Sequence, residues 1–182
     1  MITEEKIAVL VKEIQRNNQD CFKEFFFIMQ PIVFSFILKY TSNRESAEDL
    51  TQETFIRFWA SRDKLDYTSS PKGYLFKIAR NLSLNYLVRE KKPLKIPNED
   101  DYLILLSQNR EDELRRVFFH DDCQKAINML PERCRATFLL SRYGGFNYYE
   151  IAEIMDVSLQ TVKNQMNKAI SVLKKLLSYH ID

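Results

Sequence analysis

The stretch EIAEIMDVSLQTVKNQMNKA, Glu150–Ala169, decides how the chain is read. Its apolar positions Ile151, Ala152, Ile154, Met155, Val157 and Val162 recur at helical spacing on both sides of a corner at Asp156. Ala152 is small where two helices must approach, and Val162 packs the second helix back on the first. The corner needs a left-handed backbone; Gly is the commoner residue there, but Asp tolerates it. Ser158 then caps a second helix. Val162, Met166, Ile170, Leu173 and Leu177 continue one apolar stripe along that helix, and the opposite face carries Gln160, Lys163, Asn164, Asn167 and Lys168. Amides suit base edges, and Lys suits phosphates or guanine. Helix-turn-helix geometry puts the N-terminal part of the second helix in the major groove, where these residues fall. The alternative is an amphipathic hairpin with a solvated face. Glu is the usual filler of such a face, yet none occurs between Ser158 and Lys175, which favours DNA.

The rest of the chain must be compatible with such a hairpin. At 182 residues it is long enough for one ordinary domain or two small ones, and 45% hydrophobic with 29% charged residues is a globular composition. Three Gly and five Pro disfavour strand-and-turn architectures, so an all-α fold is expected. The net charge of +2 hides an asymmetry. From Pro71 to Lys95, Lys72, Lys77, Arg80, Arg89, Lys91, Lys92 and Lys95 face Glu90 alone; from Ile96 to Glu113 six acids face Arg110 alone. A basic block beside an acidic one points to a polyanion-binding face next to a separate segment. Cys21, Cys123 and Cys134 form no CxxC pair and read as reduced, buried thiols in a cytosolic protein. His120 with Cys123 and Cys134 lacks a fourth ligand, so no metal or cofactor is expected. The N-terminus MITEEKIAVLVKEI is an amphipathic helix and no signal peptide. The apolar run Phe25–Leu38, interrupted by Gln30 and Pro31, reads as core too short to span a bilayer.

Helices are expected from Thr3 to about Asn17 with Thr as N-cap, from Asp20 to Tyr40 with a bend at Pro31, from Asn43 to about Arg62, and from Pro71 to about Lys92. Pro93, Pro97 and the acids mark a flexible linker over 93–111. Helices from about Asp112 to Leu130 and from Pro131 to about Tyr143 then precede the hairpin. The expected organisation is two small helical domains, 1–92 and 112–182, joined by that linker.

Two segments of the first domain carry mixed faces. In AEDLTQETFIRFW, Ala47–Trp59, Ala47, Leu50, Thr54 and Phe58 share one helix face, while Asp49, Gln52, Glu53 and Ile56 share the other. A solvated face would lack Ile56 and a core face would lack the acids, so the stripe suits docking on a protein. In PKGYLFKIARNLSLNYLVREKK, Pro71–Lys92, Leu75, Ile78, Leu82 and Tyr86 make the buried stripe. Lys72, Tyr74, Lys77, Arg80, Asn81 and Asn85 project elsewhere. Cations interleaved with an aromatic and amides suit a groove that tracks a nucleic-acid backbone and captures unpaired bases.

Taken together, these segments and LPERCRATFLLSRYGGFNYYEIAEIMDVSLQTVKNQMNKAISVLKKLL resemble the extracytoplasmic-function class of bacterial RNA polymerase sigma factors. The resemblance implies that Asp49, Gln52, Glu53, Ile56 and Trp59 dock on the beta-prime coiled coil of core RNA polymerase, with the beta flap as a second contact. It places minus-ten recognition and melting on the loop and helix from Leu65, namely Tyr67, Ser69, Lys72, Tyr74, Lys77, Arg80, Asn81 and Asn85. Minus-thirty-five recognition falls on Gln160, Thr161, Lys163, Asn164, Asn167 and Lys168. It further implies that the acidic linker threads toward the polymerase's RNA path. An anti-sigma partner, often membrane-anchored in the class, is also implied, whereas the chain itself does not insert in a membrane. Cys21 stands where Ala often precedes Phe, Asp156 where Gly is usual, and Gln165 where Arg is frequent.

Two rival readings differ in class. A stand-alone helix-turn-helix regulator would have no use for the Asp49, Gln52, Glu53 and Ile56 stripe. An enzyme acting on nucleic acid would need paired carboxylates, a metal set, a phosphate loop or a nucleophile–base pair, and none stands out.

Overall fold

The structure, a computed structural model, describes residues 4–65, 70–90 and 122–178. All regular structure in them is helical: α1 Glu4–Gln15, α2 Gln19–Thr41, α3 Arg44–Ala60, a 3-10 turn Arg62–Lys64, α4 Pro71–Arg89, α5 at residues 122–128, α6 Glu132–Arg142, α7 Tyr148–Met155 and α8 Leu159–Leu177. The expected linker 93–111, the loop residues Tyr67 and Ser69, Lys92, His120 and the Thr3 cap lie outside the described residues.

Short polar side chains set most helix starts. Asn18, Asn43, Ser70 and Ser158 each accept from the backbone N–H three residues on, and Asn147 with Glu150 forms a reciprocal capping box before α7. Each such cap is worth about 1 kcal/mol. Ser42 ends α2 in the left-handed region at φ 55°.

The core of the first helical group is aromatic. Phe25 of α2 stacks on Phe58 of α3 at 5.0 Å between ring centroids and meets Phe55 edge-on at 6.3 Å. Phe36 meets Phe76 of α4 at 5.3 Å, and Phe76 meets Phe146 at 4.9 Å. Phe146 belongs to the second helical group, so buried rings run continuously from α2 into the C-terminal hairpin. One apolar cluster therefore joins both groups. Aromatic pairs add about 0.5–1.5 kcal/mol beyond burial.

Helix α2 is long and apolar enough, by length and composition alone, to cross a membrane, which corrects the expectation of too short a run. Its Phe25, Met29, Val33, Phe36, Ile37 and Tyr40 are buried against the neighbouring helices, so it serves as the central core helix. It continues through Pro31, which is exposed, so the one backbone bond that Pro removes lies on the outer side. The α4 stripe also differs from expectation. Phe76, Ala79 and Leu87 are buried with Leu75 and Leu82, whereas Ile78 and Tyr86 are half-buried. A helix packed on two sides buries a wider arc than one stripe predicts. In α8 the same widening buries Ala169 and Leu176 and leaves Ile170 and Leu177 half-buried. In α3, Thr51 and Phe55 are buried and Leu50 is half-buried.

Candidate polymerase and nucleic-acid interfaces

The C-terminal hairpin has the geometry its sequence predicts. Asp156 takes φ 55°, ψ 52°, in the left-handed region, and Ser158 Oγ accepts from the Thr161 N–H at 3.1 Å. Gln160, Lys163, Asn164, Asn167 and Lys168 are exposed along one side of α8. Gln160 donates to Asn164 Oδ1 at 2.9 Å, which holds two amides side by side. Thr161 is half-buried, its hydroxyl 2.8 Å from that of Ser158, so it shapes the helix start as well as lining it. No acid occupies the first turn of α8, which leaves its positive dipole end free to attract phosphate. Gln165 turns inward and accepts from the buried Thr137 hydroxyl at 2.7 Å, tying α8 to α6. That contact gives a structural role to the amide at a position where Arg is frequent.

On α3, Asp49 and Gln52 are exposed, Glu53 is half-buried and Ile56 is 61% exposed. Glu53 pairs with Arg57 at 2.6 Å. Trp59 is half-buried between Phe22, 4.7 Å away, and the Arg62 guanidinium, 4.6 Å above its ring. Gln52 also lines a groove between α2 and α3 with Phe26, Gln30, Phe34, Arg44 and Glu48. Sequence reading missed Phe27, which is 65% exposed on α2. The signal was available: Phe25, Met29, Val33, Phe36 and Tyr40 complete the buried stripe at helical spacing and leave Phe27 outside it.

On α4, Tyr74, Lys77, Asn81 and Asn85 are exposed, as expected. Lys72 and Arg80 depart from expectation. The Lys72 ammonium lies 4.4 Å from the centroid of the Phe146 ring. Arg80 Nη2 donates to Glu132 Oε1 at 3.0 Å, the two side chains each 17% exposed. Tyr40 donates its hydroxyl to the same oxygen at 2.8 Å. Burial, followed by the Glu132 charge and hydrogen bond, pushes the Tyr40 hydroxyl far above its ordinary range. Nearby Arg135 is buried, donates to the carbonyls of Asn128 and Leu130, and has its pKa lowered by loss of solvent. Of the partial metal set, Cys134 is buried and Cys123 half-buried, and burial raises both thiols. Among the described residues no cluster of three or more His, Cys, Asp or Glu could hold a metal.

An exposed polar helix behind a left-handed corner, a mixed acidic and apolar stripe and a cationic aromatic helix thus share one helical scaffold. Residues 28–92 match the family model of Sigma-70 region 2, and residues 120–173 match that of Sigma-70 region 4. The ECF RNA polymerase sigma factor SigM of Bacillus subtilis (strain 168) is 32% identical over 145 residues, 79% of this chain and 87% of that protein. SigW of the same organism, another ECF sigma factor, is 26% identical over 177 residues, 92% of this chain and 94% of that one. Among solved structures, CnrH in complex with the cytosolic domain of CnrY superposes with a TM-score of 0.73 at 17% identity, covering 94% and 97% of the two chains, and so shares the fold. The sigma factor RpoE in complex with the anti-sigma factor NepR from Bartonella quintana gives a TM-score of 0.65 at 25% identity, over 86% of this chain and 96% of that one. The chain belongs to the ECF class of RNA polymerase sigma factors, the subunits that confer promoter specificity on transcription initiation.

Proposed function

We propose the following division of labour within that function. The first domain, 1–92, docks on the beta-prime coiled coil of core polymerase through Asp49, Gln52, Glu53, Ile56 and Trp59, with Phe27 extending the apolar part. Its helix α4 captures the minus-ten element through Tyr74, Lys77, Arg80, Asn81 and Asn85, with Lys72 and the loop residues Tyr67 and Ser69 at the helix entrance. The second domain, 112–182, reads the minus-thirty-five element through Gln160, Thr161, Lys163, Asn164, Asn167 and Lys168, and rests on the beta flap. The segment 93–111 joins them. No bond chemistry is assigned to the chain: melting uses binding energy, since an exposed base costs a few (~1–3) kcal/mol that stacking and cations can offset. An anti-sigma protein that covers these faces in the cytoplasm completes the scheme, by likeness to the partners of CnrH and RpoE in their solved complexes.

The observation that carries the reading is the α3 stripe: Ile56 is 61% exposed between exposed Gln52 and half-buried Glu53, a composition that neither core nor solvent favours. The experiment is capture of the chain by purified core polymerase. Glu53→Lys should abolish capture while leaving duplex binding by α8 intact. Undiminished capture of the variant would sink the assignment of polymerase docking to this stripe.

A further inference from the structure

Helices α6, α7 and α8 meet at one buried oxygen. Thr137 of α6 is wholly buried, and its hydroxyl lies 2.7 Å from Gln165 Oε1 of α8, 3.3 Å from Met155 Sδ of α7 and 2.9 Å from the Arg133 carbonyl. A hydroxyl has one proton to give, and the amide oxygen, the nearest of the three, takes it. The place of this contact on α8 matters. Val162, Met166 and Ala169 face the core, Lys163, Asn164 and Asn167 face outward, and Gln165 is half-buried at the border between them. Apolar packing is non-directional, so the buried stripe holds α8 against its neighbours without fixing its rotation about its own axis. A hydrogen bond at the border does fix it, because its length and angle have a narrow range. The start of α8 is already held by the Asp156 corner and the Ser158 cap. Gln165 lies about two helical turns further on, so the two points also set the direction of the helix.

We propose that Thr137 and Gln165 are positioning residues for promoter discrimination: their hydrogen bond sets the roll of α8, and with it which amide meets which base edge. The inference rests on α8 being the minus-thirty-five reader. A roll of about 10° moves a side-chain tip on the helix surface by about 1 Å. A binding constellation tolerates only about 0.5 Å. Asn164, next in the chain to Gln165 and itself held by Gln160, is carried along by any such roll. Lys163 and Lys168 are not bound in the same way, because a point charge on a flexible stem can follow a phosphate through a small displacement. The pair therefore governs discrimination and leaves the general hold on DNA to the cations. An apolar pair of the same size would fill the space without giving it a direction.

The test uses the full-length chain. The parent first enriches a preferred duplex from a randomised pool. Affinities for that duplex and for a scrambled one of equal composition are then read by fluorescence anisotropy. Thr137→Val keeps the shape and loses the hydroxyl; Gln165→Met keeps the reach and loses the acceptor. Each should lower the ratio of preferred to scrambled affinity by about tenfold, the worth of one well-read base pair, with the scrambled duplex bound as before. The double variant should lose no more than either alone, since both changes break one contact. Thr137→Ser, which keeps the hydroxyl, should hold the parental ratio. A parental ratio in Thr137→Val and Gln165→Met overturns the inference. So does an equal loss on both duplexes, which is what a merely structural contact gives. A parent that enriches no duplex sinks the assignment of α8 to promoter DNA, and this inference with it. A discriminating parent with unchanged variants sinks the inference alone.

Discussion

Tyr40 and Glu132 lie 92 positions apart in the chain and 2.8 Å apart in space, joined by a hydrogen bond from the tyrosine hydroxyl. Because burial and the neighbouring carboxylate raise the Tyr40 pKa, the folded chain keeps this proton at pH values where the unfolded chain, titrating near the ordinary 10.0, has lost it. The folded state then binds more protons than the unfolded one, so stability is fully present below pH 10 and falls as pH rises above it. Tyr40→Phe should cost about 1.5–3 kcal/mol at neutral pH, the worth of a hydrogen bond to a charged group, and should flatten the alkaline loss. Urea titrations of both proteins at neutral pH and above pH 10 check this; parallel alkaline slopes would refute it.

A second prediction concerns Phe27 and Ile56, exposed by 65% and 61% on adjacent helices. Apolar side chains held in water gain their worth only when a partner covers them. Burying one fully is worth about 1.5–3 kcal/mol, which is roughly tenfold to a hundredfold in affinity. Phe27→Ser and Ile56→Ser should each weaken core-polymerase binding by that order and leave the melting temperature unchanged. A fall in melting temperature without a loss of affinity would show that these side chains serve the fold.

The contrast between Phe27 and Asp156 shows what was legible in the sequence. Asp156 was readable because a helix corner fixes its own backbone demand within a few residues, and the polar face of α8 follows from local periodicity. Phe27 was hidden because an apolar run announces burial without saying which of its members the fold leaves out. The Arg80–Glu132 pair was hidden more deeply. It joins two helices separated by a long stretch of chain, and no local pattern encodes where the second domain comes to rest. The mixed stripe on α3 fell between these cases: composition singled it out, but the Glu53–Arg57 pair within it emerged only in space.

On α8, amides and cations should fail in different ways. Asn164 is exposed and held by Gln160, poised for a base edge, so Asn164→Ala should cost about 1–3 kcal/mol at one base pair and relax discrimination there. Lys168→Ala should weaken binding to all duplexes alike and reduce the slope of log K against log salt by about 1. Titrating duplex variants at several salt concentrations separates the two. Equal losses across sequences for Asn164→Ala would assign it to the backbone instead.

The corner between α7 and α8 offers a test of geometry rather than contact. Asp156 holds φ 55°, ψ 52°, while the Val157 N–H reaches back to the Ala152 carbonyl at 3.0 Å to close α7. A left-handed backbone costs an ordinary L-residue roughly 1–2 kcal/mol, and a β-branched one suffers most. Asp156→Val should therefore destabilise the chain by about that much. Asp156→Gly should be nearly neutral: relief of the backbone cost is offset by the roughly 0.5–1 kcal/mol that Gly's greater freedom adds to the unfolded state. The same ordering should appear in affinity for a minus-thirty-five duplex, because the corner sets the angle at which the start of α8 meets DNA. Thermal melting and anisotropy on the three proteins check both. If Asp156→Val proved as stable as the parent, the hairpin would turn by some other backbone path, and the placement of Gln160, Lys163 and Asn164 on the groove-facing side would have no geometric basis.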